Sequence, residues 1–260
     1  MQRFRALQQR QFLLAFISIL CFPLLMKAQT MSEWDNVSVF QMNREVSHDL
    51  SIPFASAESA KTLDLTQSPY YLDLNGTWKF HWSGMPTGVP SGFYAKDFND
   101  TAWDNITVPY PWQVYAIRNG KSWDKPLYVN TSYPFTYTSD YSVMAERSSS
   151  WTYSGNMKNP VGCYRRTFTL PEGWKDRKTF IRFCGAGHAY YVWVNGQFAG
   201  YAEDSFLPSE WDITDKVQEG ENTVAVQCYR FSSGSFLECQ DYWRLTGITR
   251  DVYLYSTPQD

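Results

Sequence analysis

The stretch that most limits what this chain can fold into is "AYYVWVNGQFAGY", residues 189–201. Two runs rich in Tyr, Val, Trp and Phe flank Asn195 and Gly196. Aromatic and β-branched residues suit a pleated strand. Asn-Gly supports the type I′ turn, whose twist matches paired antiparallel strands, so the stretch reads as a β-hairpin. Similar signals recur along the chain in "TWKFHW" (77–82, after the turn-like Asn75 and Gly76), "KTFIRFCGA" (178–186), "NTVAVQCYRF" (222–231) and "TRDVYLYS" (249–256). "GCYRRTFTL" (162–170) alternates, with Tyr164, Arg166, Phe168 and Leu170 on one side and Cys163, Arg165, Thr167 and Thr169 on the other. Outside the first 28 residues no stretch sustains an apolar period of 3.6 residues. Short strands this numerous, separated by Gly, Pro and Asn turns, imply an all-β sandwich or barrel.

The 260 residues contain 11 Trp, 18 Tyr and 17 Phe. A strand-rich core accounts for most of them, although flat rings also serve ligands. Two regions lack strand signals. Residues 29–67 show little periodicity and read as an extended N-terminal arm laid over a domain at 68–256. Val108 to Pro160 reads as a long loop rich in Tyr, Trp, Ser and Asn; its aromatics argue against disorder, and ordered loops of that length are usually functional. Residues 257–260 follow the last strand and include Pro258, where a linker to further domains is expected to start.

Residues 1–28 differ from the rest. Arg3, Arg5 and Arg10 precede an apolar run, Phe12 to Met26, and no acid occurs before Glu33. This is the layout of a secretory signal peptide, with cleavage expected after Ala28 and an uncleaved anchor as the alternative. The expected location is then periplasmic or extracellular, with no membrane attachment after cleavage. Removing four basic residues (Arg3, Arg5, Arg10, Lys27) and no acids leaves 19 basic against 26 acidic, a balance of −7. An acidic chain without a basic patch argues against nucleic acid as a partner. Cys163, Cys184, Cys228 and Cys239 remain; their spacing matches no zinc site, and Cys184 and Cys228, inside apparent strands, read as free buried thiols.

Patterns for a nucleophilic serine, a zinc protease and a phosphate-binding loop are missing. His48, His81 and His188 are scattered and read as structural. Glu203 with Asp204, and Glu238 with Asp241, are carboxylate pairs of the kind a glycosidase uses, on composition alone. Five glycosylation triplets, at Asn36, Asn75, Asn99, Asn105 and Asn130, are what a chain rich in Asn, Ser and Thr makes by chance. The aromatic-polar segments "YPWQVY" (110–115), "LYVNTSYPF" (127–135) and "ECQDYWR" (238–244) combine flat rings with hydrogen-bonding side chains. That is the make-up of a sugar site, and also of some protein-contact surfaces.

In order, "EWDNVSVFQMNREVSH", "LNGTWKFHW", "DFNDTAWDNITVPYPWQVY", "PLYVNTSYPF", "NPVGCYRRTFTLPEGW", "GYAEDSFLPSEWDIT" and "LECQDYWRLTGITRDVYLY" resemble the amino-terminal part of a β-galactosidase of glycoside hydrolase family 2. The resemblance runs from about Trp34 to Tyr255. It implies a jelly-roll, galactose-binding-domain-like sandwich, followed in that family by an immunoglobulin-like domain and a (β/α)8 barrel. The barrel carries both catalytic glutamates of a retaining mechanism, so no catalytic residue is expected here and these residues alone are expected to be inactive. A freestanding galactose-binding module or lectin is the alternative. By resemblance, Asn130 lines the galactose pocket, and Asp241 contacts galactosyl hydroxyls and contributes to a sodium site. Sodium and magnesium are expected only for the family's full enzyme. The expected partners are a galactoside and the further domains, with homo-oligomerisation left open. Supporting positions fall to Trp243, packed under the loop; Arg244, bridging acids or backbone carbonyls; and Glu238 and Asp204 behind them.

Overall fold

The structure is a computed structural model that describes residues 32–128, 133–136, 152–153, 158–238 and 241–259. Short elements come first: a 3-10 turn at Glu33–Asp35, β1 (Gln41–Met42), α1 (Ala57–Ala60) and a 3-10 turn at Leu65–Gln67. The sandwich strands follow: β2 (Tyr71–Asp73), β3 (Gly76–Ser83) and β4 (Asp104–Val108). Helix α2 (Trp112–Arg118) precedes the short β5 (Phe135–Thr136) and β6 (Thr152–Tyr153). Then come β7 (Val161–Leu170), β8 (Lys178–Phe183), β9 (Ala186–Gly187), β10 (Ala189–Val194), β11 (Gln197–Ala202), β12 (Ser209–Asp212) and β13 (Gly220–Tyr229). Helical turn α3 (Ser235–Glu238), β14 (Gly247–Ile248) and β15 (Val252–Thr257) complete the chain.

Two antiparallel sheets enclose the core. One runs β1-β11-β10-β13-β7-β3-β4 and the other β12-β8-β15-β2. This is the jelly-roll β-sandwich that the family resemblance implies, and of the sandwich and barrel that the strand pattern left open it is the sandwich. The β10–β11 hairpin turns at Asn195 and Gly196 with φ of 51° and 80°, the left-handed pair that a type I′ turn requires. Alternation in β7 sends Tyr164, Phe168 and Leu170 inward and leaves Thr167 and Thr169 exposed. They meet Trp78 and Phe80 of β3, Val224 and Val226 of β13, and Ile181, Phe183, Trp211, Val252 and Leu254 from the opposing sheet. Each fully buried side chain of this size contributes roughly 1.5–3 kcal/mol.

The outer face of the larger sheet is covered as well, which accounts for the many aromatics. Trp34, from the first turn, stacks on Tyr229 at 4.8 Å, and Tyr94 stacks on Trp193 at 5.0 Å. Arg165 is buried beneath this cover. Its Nε donates to Asp100 at 2.8 Å and its Nη1 to the carbonyls of Phe93 and Ala95, so the charge is paired and hydrogen-bonded, as a buried charge must be.

Two expectations change. The segment read as a loop from Val108 contains helix α2, and Trp112 within "YPWQVY" is fully buried against Phe80 rather than offered to a ligand. Cys184 lies just past the end of β8 and is half-buried. Cys163, Cys184 and Cys228 are free thiols. Cys163 stands opposite Gln227 and Cys228 opposite Gly162, one residue out of step, so the two thiols point to opposite faces of the sheet and cannot pair.

Candidate functional site

The segment that follows β13 is fastened residue by residue. The Arg230 guanidinium is paired with Asp124. The Asn159 side-chain amide takes both the N–H and the carbonyl of Phe231, each at 2.9 Å. Ser232, Ser233 and Gly234 all donate to the Glu203 carboxyl. At the end of α3, Glu238 turns back onto the residue between β9 and β10 and the segment after β11: its Oε2 lies 3.0 Å from His188 Nδ1, and its Oε1 accepts the Ser205 N–H at 3.0 Å. On the far stem the Thr246 N–H donates to buried Gln113 Oε1 at 2.9 Å, and the Trp112 N–H donates to the Thr246 carbonyl at 3.0 Å. Helix α2 therefore serves the site as a post for this loop.

Between these ties, Asp241 stands exposed with φ of 47°. Asp tolerates the left-handed region better than most side chains. Its neighbours Tyr242 and Trp243 are also half-exposed. Tyr242 meets Phe206 edge-on at 5.3 Å, and Trp243 leans on exposed Tyr128 at 5.2 Å. Trp243, expected beneath the loop, stands at the surface because Tyr128, the residue it packs on, is itself at the surface. Arg244 is buried. Its Nη1 donates to the Tyr133 hydroxyl at 2.7 Å, and its N–H donates to the Leu127 carbonyl at 2.8 Å. Asn130 lies outside the described residues, as does Cys239.

The carboxyls differ in character. Burial pushes Glu203 up to about 7, against the opposing hydrogen bonds from Tyr201, Ser233, Gly234 and Ser232. Burial also works to raise Glu238, but the hydrogen bond and electrostatic attraction of His188, with hydrogen bonds from Ser205, outweigh it and hold the group below its ordinary value. Asp204, at a left-handed φ of 78°, is raised by burial and by nearby Glu238. Asp241 and Trp243 thus share the loop's surface, Arg244 is buried beside them, and Glu238 and Asp204 sit at its base. Sequence reasoning assigned no individual role to Gln113, Tyr133 or Glu203, although all three lie in stretches it singled out, "YPWQVY", "LYVNTSYPF" and the Glu203-Asp204 pair; His188 it read as structural.

Asp241 presents one exposed carboxylate, an oxygen donor of the kind hard cations take. Among the described residues no three His, Cys, Asp or Glu side chains gather as a metal site, so these residues alone do not fit a resident metal.

The fold defines an antiparallel β-sandwich. Residues 71–258 match the family "Glycosyl hydrolases family 2, sugar binding domain", and the chain belongs to that family. It is 45% identical over 228 residues to a β-galactosidase of Priestia megaterium, covering 87% of this chain and 21% of that protein. It is 39% identical over 226 residues to a β-galactosidase of Psychromonas ingrahamii, covering 87% and 20%. The chain therefore spans about a fifth of the length of the curated relatives it matches. Among solved structures, a β-glucuronidase of Bacteroides uniformis superposes with a TM-score of 0.51 at 23% identity, over 72% of this chain and 18% of that one, a likeness of fold.

Proposed function

We propose that these residues are the sugar-binding portion of an exported β-galactosidase that hydrolyses terminal β-D-galactosides with retention, and that Asp241 is their main contact with the galactosyl group. The observation that carries this reading is the contrast within one loop. Its stems and base are tied at Arg230, Phe231, Ser232–Gly234, Glu238, Arg244 and Thr246, yet Asp241 is left exposed beside two half-exposed rings. An ionised Asp accepts strong hydrogen bonds from sugar hydroxyls, and adjacent flat rings cover the sugar's C–H face. Asn130, between Tyr128 and Tyr133, offers a donor and an acceptor to the same ligand.

In this reading bond cleavage belongs to a pair of glutamates in a barrel domain of the same enzyme. Asp241 would be one oxygen ligand of a sodium ion in the assembled enzyme, with the other ligands supplied by that domain. No magnesium ligand is assigned to these residues. Residues 1–28 act as the export signal, supported by their basic start and apolar run.

The test is hydrolysis of a chromogenic β-galactoside by the polypeptide expressed from its whole coding sequence. Asp241→Asn is expected to lower kcat/KM by about 10²-fold or more, the scale seen when one hydrogen bond that stabilises a transition state is removed. Wild-type protein that cleaves β-glucuronides and not β-galactosides would overturn the substrate assignment.

A further inference from the structure

Glu203 takes no part in the sugar reading, yet it lies under the loop that carries Asp241. It follows β11 and is 4% exposed. The Tyr201 hydroxyl donates to its Oε1 at 2.6 Å. The Ser233 hydroxyl reaches both carboxyl oxygens at 3.0 Å, and the Ser232 hydroxyl reaches Oε2 at 3.2 Å. The Gly234 N–H donates to Oε2 at 2.8 Å. Three of these donors are consecutive residues leading into α3. Gly234 is pressed against two carboxyls at once: a Cβ there would stand 2.8 Å from Glu203 Oε2 and 3.7 Å from Glu238 Oε1.

Among the described residues no cation pairs with Glu203. The first turn brings Glu33, which binds the Tyr191 hydroxyl at 2.8 Å, and the Tyr191 ring lies 4.6 Å from that of Tyr201. The loop brings Glu238, itself engaged with His188. The adjacent Asp204 is the group on which Arg44 acts. The donors around Glu203, three hydroxyls and one backbone amide, favour the ionised carboxylate, but burial with no cation among the described residues paired to it outweighs them and favours the neutral acid. A carboxylic acid keeps one oxygen to accept the Gly234 N–H, and its own O–H donates to a serine or tyrosine hydroxyl, each of which can accept.

We propose that Glu203 is the positioning residue of the Asp241 loop: as a neutral acid it holds Ser232–Gly234 against β11, and it loosens that hold when it ionises. Burial supplies the sign. A carboxyl near 4.5 in water is pushed up to about 7 in the closed site. Closing the loop therefore takes up a proton from solvent between those values. The hold is complete below about 4.5 and is lost as pH rises through about 7. The consequence for sugar binding rests on the galactoside reading; the hold itself does not.

Hydrogen exchange tests it on the 260-residue chain. Amides of residues 232–238 and 241–244 are followed from pH 5.5 to 8.5, corrected for the intrinsic pH dependence of exchange. In the wild type, protection is expected to fall by about tenfold between pH 6 and 8.5, within the tenfold per pH unit that one released proton allows. Glu203→Gln, a permanently neutral stand-in, is expected to stay flat at the wild-type low-pH level. Protection that does not change with pH in the wild type, or that falls equally in Glu203→Gln, overturns the proposal. Should that variant not fold, Ser233→Ala keeps the acid and removes one donor. It is expected to lower protection and move the fall to higher pH, and an unchanged profile overturns the proposal. Hydrolysis of a β-galactoside by the polypeptide expressed from its whole coding sequence separates the two readings. A pH-dependent fall with no such hydrolysis leaves the hold standing and sinks the sugar reading, and hydrolysis without the fall does the reverse.

Discussion

Arg244 joins two segments that the chain keeps far apart. Its Nη1 donates to the Tyr133 hydroxyl at 2.7 Å, its guanidinium lies 5.0 Å from the centre of the same ring, and its N–H donates to the Leu127 carbonyl at 2.8 Å. Leu127 and Tyr133 flank Asn130, so one residue fastens the Asp241 loop to both sides of the other proposed sugar ligand.

Arg244→Ala is accordingly expected to cost about 1.5–3 kcal/mol, the range for a hydrogen bond to a charged group. Arg244→Lys should recover little of it, because an ammonium cannot match the planar fork that bonds the hydroxyl and stacks on the ring. Urea denaturation of the three proteins measures this. A lysine variant as stable as the wild type would show that charge alone is what matters.

Gly162 predicts a second cost. It has no positive φ; what it provides is space. A Cβ there would stand 2.8 Å from ring atoms of both Phe80 and Trp112, two aromatics locked in the core. Gly162→Ala is expected to destabilise by about 1–3 kcal/mol or more, the cost of overpacking. It should also loosen the far stem of the Asp241 loop, since Trp112 N–H holds the Thr246 carbonyl. A thermal midpoint equal to that of the wild type contradicts the packing.

The arm is attached in a pH-dependent way. His48 Nδ1 lies 2.8 Å from the Asp49 carbonyl, and Nε2 lies 3.0 Å from Oε1 of Glu210, which also accepts from Arg182 and Tyr255. The Asp49 carbonyl first, then Glu210, raise His48 above its usual value. A raised histidine stabilises fully below about 6.5, and this contribution is lost as pH rises through its folded value. His48→Gln should therefore reduce stability at pH 6 and leave it unchanged at pH 8.5. Chemical denaturation at the two pH values checks the difference, and an equal effect at both would show that the charge on His48 is not involved.

The strands were legible because their signals are local. The Asn195-Gly196 turn and the alternation of β7 are written in adjacent residues and survive folding unchanged. Helix α2 was not. It has seven residues, too few for a 3.6-residue period to repeat, and its aromatic residues look like a ligand loop until Trp112 is seen in the core. Strands β1 and β12, of two and four residues, escape for the same reason. In the site, the loop around Asp241 was legible as a crowded motif, but its supports were not. Glu203 is about thirty positions from the serines it holds, and Gln113 is farther still from Thr246, so only the fold brings them together. Trp243 was misplaced because the exposure of its partner, Tyr128, depends on tertiary packing.

Asp241 itself should be separable from all of this. It is exposed, so Asp241→Asn is expected to leave the free energy of unfolding, measured by urea denaturation, unchanged within about 0.5 kcal/mol, as for surface substitutions elsewhere.

The most direct measurement is a crystal structure, with galactose bound, of the protein expressed from its whole coding sequence. The account predicts an Asp241 carboxylate oxygen about 2.5–3.0 Å from at least one galactosyl hydroxyl oxygen. Galactose seated in the protein with Asp241 out of hydrogen-bonding reach would contradict it.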